Sequence, residues 1–101
     1  MTKTATPGAL RPDLVDALLV LRDRKEAEAF LQDLCTPGEV KALSERWQVA
    51  RLLDEGELSY RDIAKAAQAS TATVVRVARF LKDMPYRGYR RILDRLKAAR
   101  R

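Results

Sequence analysis

Residues 59–82 read SYRDIAKAAQASTATVVRVARFLK, and the fold turns on how that stretch is punctuated. Ser59 and Ser70 each precede a helix-compatible run. A serine hydroxyl in that position accepts a hydrogen bond from an amide that the first helical turn leaves unpaired. The spacing predicts a short helix over Tyr60–Ala67 that buries Ile63, Ala64 and Ala67. It predicts a second over Thr71–Lys82, with Val74, Val77, Ala78 and Leu81 facing inward. Gln68 and Ala69 form a brief connection before the Ser70 cap. The first helix is rich in alanine, which lets the second approach closely. Two capped helices at this separation have the layout of a helix-turn-helix.

Working outward toward the N-terminus, Thr36-Pro37-Gly38-Glu39 reads as a helix start. Thr36 is the cap, Pro37 takes the first helical position, and Glu39 lies three residues after the cap. That helix passes through Val40, Leu43, Trp47, Ala50, Leu52 and Leu53 at three- and four-residue steps, and Gly56 stops it. Earlier, Pro12 and Asp13 open a helix expected to run through the charged Arg22–Glu28 and the apolar Phe30, Leu31 and Leu34 to near Cys35. Between Leu14 and Leu21 only Asp16 is polar, and a helix apolar all round must be covered all round. In a chain of 101 residues a second subunit is the readiest cover; a central core helix in a monomer is the other reading.

Met1–Arg11 lacks periodicity and reads as a flexible arm. Beyond the quoted stretch, Pro85 forces a break and Tyr86–Arg100 forms a last helix, with Tyr89, Ile92, Leu93 and Leu96 as its apolar side. No segment alternates as a strand would. The expectation is an all-α chain of five to six helices. A single domain over 12–101 would comprise a dimerisation core at 12–58, a helix-turn-helix at 59–82 and a C-terminal helix at 86–100.

Charge is divided unevenly. Residues 1–58 carry a net −3 and residues 59–101 a net +9, for +6 in all. The basic half contains the two capped helices, which points to a polyanion as partner. With 47% hydrophobic residues the chain has the material for a core. There is no histidine and one cysteine, Cys35, so no internal disulfide is available and no metal-ligand set is evident. No glycine-rich phosphate loop and no carboxylate pair in an apolar setting is present, so neither an enzyme nor a resident cofactor is expected. The longest apolar run, Ala17–Leu21, is too short to cross a membrane, and Met1–Leu10 lacks the apolar stretch of a signal peptide. A cytoplasmic, nucleoid-associated location follows as an expectation.

The second of the two capped helices is the candidate reader. Thr71, Ala72 and Thr73 are small or polar, as the close approach of a helix end to base edges in the major groove requires. Their hydroxyls suit phosphate or base edges, and their methyls suit the thymine methyl. Arg76, Arg79 and Lys82 add charge farther along. In the last helix, Tyr86, Arg87, Tyr89, Arg90 and Arg91 mix aromatic and basic side chains. There Tyr89 is expected to pack and some of the arginines to meet phosphate.

Two segments, FLQDLCTPGEVKALSERWQVARLL and LSYRDIAKAAQASTATVVRVARFL, together resemble the tryptophan-repressor superfamily in matched register, most nearly its YerC/YecD-type branch. The resemblance implies an intertwined all-helical homodimer with interlocked N-terminal helices, in agreement with the apolar segment at Leu14–Leu21. It implies DNA contacts from Lys65, Thr71, Ala72, Thr73 and Val75. The charged Arg61, Arg76 and Arg79 are expected to face phosphate. An effector site is implied at Cys35, Thr36, Arg46 and Arg76, the two arginines being those that sandwich the indole of tryptophan in the family. Val77 stands where the family has a glycine that makes room for the indole, Phe80 where it has a serine that helps hold the amino group, and Gln68 where a turn glycine is usual. Val75 replaces a hydroxyl residue. Tryptophan is therefore not expected as corepressor. Binding without a corepressor, or with a different small-molecule effector, is.

The function expected is that of a homodimeric, sequence-specific regulator of transcription on double-stranded DNA, most simply a repressor. Two other classes fit the same features: a nucleic-acid-binding architectural or RNA-associated protein without sequence choice, and a protein-interaction module whose basic face docks acidic partners.

Overall fold

Six helices follow one another in the computed structural model, which describes residues 9–100: α1 (Pro12–Leu19), α2 (Arg24–Leu34), α3 (Pro37–Glu55), α4 (Tyr60–Ala67), α5 (Thr71–Lys82) and α6 (Gly88–Ala99). Among the described residues there is no strand. Most of the segment read as an N-terminal arm, residues 1–8, lies outside the described residues. The chain divides after Pro37 into two compact units.

The first unit holds α1 and α2, and here the sequence expectation needs correction. The single helix expected from Pro12 to near Cys35 is two helices. The break has a local cause. The Asp23 carboxylate accepts a hydrogen bond from the Glu26 amide (2.9 Å), and the Glu26 carboxylate accepts one from the Arg22 amide (2.9 Å). The two acids cap α2 reciprocally, much as in a capping box. Neither helix buries a residue, and Leu19 and Val20 remain 77% and 72% exposed.

The second unit carries the core. Val49 and Ala50 of α3, Ile63, Ala64 and Ala67 of α4, and Val74 and Val77 of α5 form one buried cluster. Each fully buried Val or Ile in it contributes about 1.5–3 kcal/mol relative to exposure. Trp47, Leu52, Leu53, Ala69 and Tyr89 pack around it. The α4 and α5 residues are those the periodicity selects, except that Leu81 is only half-buried. On α3 the selection is less faithful. Val49, omitted from the expected face, is fully buried, whereas Leu43 is exposed. α3 ends at Gly56, whose φ of +74° is a left-handed conformation that suits glycine.

α6 is fixed to α3 in two ways. The Trp47 and Tyr89 rings stack with centroids 6.3 Å apart. Asp54, whose side chain is 9% exposed, accepts from Lys97 Nζ at 2.7 Å on one oxygen and from Arg90 Nη2 at 2.9 Å on the other. Arg90 also reaches Asp94 through Nε and Nη2. The helix begins at Gly88, two residues later than expected, because Arg87 adopts a left-handed φ of 59° at its cap. Of its expected apolar side only Leu93 is buried, and Ile92 and Leu96 are each 44% exposed.

The hydrogen bond from Lys97, opposed by burial and reinforced by Arg90, holds the Asp54 carboxyl below the ordinary carboxylate range. A carboxylate with a lowered native pKa stabilises the fold fully above its unfolded value of about 3.9 and loses that contribution as pH falls through the native value. Asp54→Asn should lower unfolding free energy by about 1–3 kcal/mol at pH 7. Urea titrations of both proteins should show that gap shrinking only below about pH 4.

Candidate nucleic-acid interface

The two capped helices are joined by a tightly specified turn. Ser59 Oγ accepts from the Asp62 amide at 3.1 Å, and Ser70 Oγ accepts from the Thr73 amide at 3.0 Å. Between them Gln68 has φ 56° and ψ 40°. The Ala69 amide donates to the Ala64 carbonyl (2.9 Å) and the Gln68 amide to the Lys65 carbonyl (3.3 Å), the paired bonds of a Schellman ending. These bonds satisfy carbonyls left over at the end of α4 and turn the chain directly into α5. The alanines of α4 are buried with Ile63, so α5 seats against them through Val74, Val77 and Ala78.

That seating decides which side of α5 faces out. Thr71 and Ala72 are exposed at its start, Thr73 is half-buried, and Val75 is 55% exposed. Arg76 and Arg79 are exposed on the same helix, and Arg61 and Lys65 are exposed on α4. All eight residues expected at a DNA surface thus lie on the two helices of one motif. The Thr73 hydroxyl is 3.0 Å from Ser70 Oγ, so it belongs to the cap as well as to the outer surface. An exposed valine in mid-helix has no role in the core. Its methyl groups match the apolar contact that a thymine methyl offers.

The residues expected around an effector are distributed differently. Arg46 is half-buried on α3 and Arg76 exposed on α5, both in the second unit. Cys35 and Thr36 belong to the first. There Cys35 is half-buried and its amide donates to the Leu31 carbonyl at 3.0 Å. The Arg76 guanidinium carbon lies 4.5 Å from the centroid of the Phe80 ring, a cation–π contact. Sequence reasoning weighed both residues without pairing them, although their four-residue separation on a helix places them on one face.

Because Gln68 holds a left-handed conformation that glycine adopts without a Cβ penalty, Gln68→Gly should not disturb the fold. It should raise unfolding free energy by up to about 1 kcal/mol, read as a higher urea midpoint at unchanged slope.

The family described as Trp repressor protein matches residues 12–97. The uncharacterized protein YerC of Bacillus subtilis is 42% identical over 84 residues, covering 83% of this chain and 79% of its own length. A Trp operon repressor homolog of Chlamydia trachomatis is 39% identical over 70 residues, 65% of this chain and 74% of its own. Among solved structures, a TrpR-like protein of Eubacterium eligens superposes with a TM-score of 0.78 at 44% identity, covering 84% of this chain and 86% of that one.

Proposed function

This chain belongs to the Trp repressor family, and from that premise we propose that it is a homodimeric regulator of transcription, a repressor, that reads a specific sequence in double-stranded DNA. The observation that carries the reading is the outer surface of α5. Thr71, Ala72 and Val75 are exposed beside arginines, on a helix whose opposite side is locked into the core. Thr71, Ala72, Thr73 and Val75 meet base edges; Arg61, Lys65, Arg76 and Arg79 meet phosphates. Repression is further supported by the name of the Chlamydia relative.

Dimerisation is supported by what the single chain leaves uncovered. α1 and α2 bury no residue, and Leu18, Leu19, Val20 and Leu34 are exposed. Apolar side chains left in water in this number are covered most simply by a second copy. Two heads related by a two-fold axis would then read half-sites about 34–36 Å apart.

Tryptophan has no part in this reading. Val77 is fully buried where the resemblance calls for room, and the Arg76 guanidinium already lies over the Phe80 ring. The protein binds DNA without tryptophan, alone or with another effector. Calorimetric titration with tryptophan should give no saturable heat and leave duplex affinity unchanged; micromolar binding would overturn this part of the reading.

Selection from random duplexes at about 150 mM salt, where non-specific attraction is already weakened, should recover a pseudo-palindrome. On that site Thr73→Ala should weaken binding more than on random DNA. Arg79→Ala should weaken both alike and lower the salt slope by about one. Retained binding with no recovered motif would favour an architectural protein instead.

A further inference from the structure

The cations of α6 and its cap are sorted into two sets. Arg90 and Lys97 are bonded to Asp54, and Arg90 also to Asp94. Arg87, Arg91 and Arg95 are exposed, and among the described residues none of the three is in an ion pair. Arg91 and Arg95 lie one turn apart on the helix surface, and Arg87, four residues earlier, is the cap from which that row starts. Leu93, the buried residue of α6, lies on the far side of the helix from that row. Asp94, the acid nearest the row in sequence, is already engaged by Arg90.

Helix stability does not account for the row. Like charges four residues apart repel. Arg87 and Arg91 also sit at the start of α6, where a cation opposes the helix dipole and no acid compensates. The row is about 12 Å long. Successive arginines in it are about 6 Å apart along the helix, room enough for each to meet a separate phosphate of one strand.

We propose that the Arg87–Arg91–Arg95 row on α6 is a second nucleic-acid contact, which grips the phosphate backbone apart from the reading helix α5. The assignment rests on the reading of the chain as a duplex-binding protein. The partner is the sugar-phosphate backbone irrespective of sequence, because three guanidinium groups on one helix face supply charge and no pattern for a base edge. The row thus adds affinity without adding sequence preference.

The test compares the full-length protein with Arg91→Gln/Arg95→Gln, leaving Arg87 in place because its backbone starts the helix. A control, Arg24→Gln/Lys25→Gln, removes the same charge from α2. Fluorescence anisotropy with a random 30-base-pair duplex is followed from 50 to 200 mM salt, and thermal melts check folding. The α6 variant should lower the slope of log K against log salt by about two and bind at least tenfold more weakly at 100 mM. The α2 control should leave the slope unchanged. Preference for a selected site over random DNA should stay the same in the α6 variant. An unchanged slope in the α6 variant, with wild type binding normally, overturns the proposal and leaves the DNA-binding reading intact. Equal slope losses in both variants also overturn it, because net charge alone would then be responsible. So does loss of binding to phosphatidylserine vesicles with the duplex slope unchanged, which would assign the row to lipid. Wild type that binds no duplex at all refutes the underlying reading together with the proposal.

Discussion

The packing of α4 is the constraint on which the second unit depends. This helix has eight residues and buries three of them, Ile63, Ala64 and Ala67, in the cluster that also contains Val49, Ala50, Val74 and Val77. Small side chains on α4 allow close approach, and close approach leaves α5 only one way to seat. The outer surface of α5 is therefore decided by what its inner surface must bury. The sharp exit from α4 through Gln68 belongs to the same constraint, since a looser connection would give α5 freedom to rotate. In a chain this small, what one side of a helix exposes is set by what its other side buries.

Much of this was legible in the sequence because the relevant signals are local. Ser59 and Ser70 mark their helices by hydrogen bonds that span three residues, and both bonds are present. Val74 and Val77 announce themselves by helical period. The break between α1 and α2 was equally local, in the sequence Asp23-Arg24-Lys25-Glu26, but a continuous helix-compatible composition masked it. Other features were not local and could not be read in the same way. Whether Leu43 or Val49 is buried depends on which part of α3 meets α4, and the three- and four-residue steps that select Leu43 carry no information about that contact. The Asp54–Arg90 bond joins residues 36 positions apart; nothing in the sequence distinguishes Arg90, which is tied inward, from Arg91, which is not.

The candidate surface shows the same division. Its residues were selected by their place on two capped helices together with a family register, and the structure gathers them on one motif. What the sequence left open was the local condition of each. Thr73 shares its hydroxyl with a cap, Val75 projects outward, and Arg76 lies against Phe80. These conditions follow from side-chain neighbours one turn apart, which a list of residue types does not contain. They change the chemistry available at each position without changing the outline of the site.

The position of Asp54 has a consequence of another kind. The attraction between exposed charges is largely screened beyond a Debye length of about 8–10 Å in ordinary buffers, and that length shortens as salt is added, whereas sheltered pairs are screened much less. The carboxylate that anchors α6 is sheltered, and the arginines available to a polyanion are at the surface. Added salt therefore acts on the two sets of ion pairs over different concentration ranges. A polyanion held by those arginines would then leave at an ionic strength at which the Asp54 carboxylate still holds α6 in place.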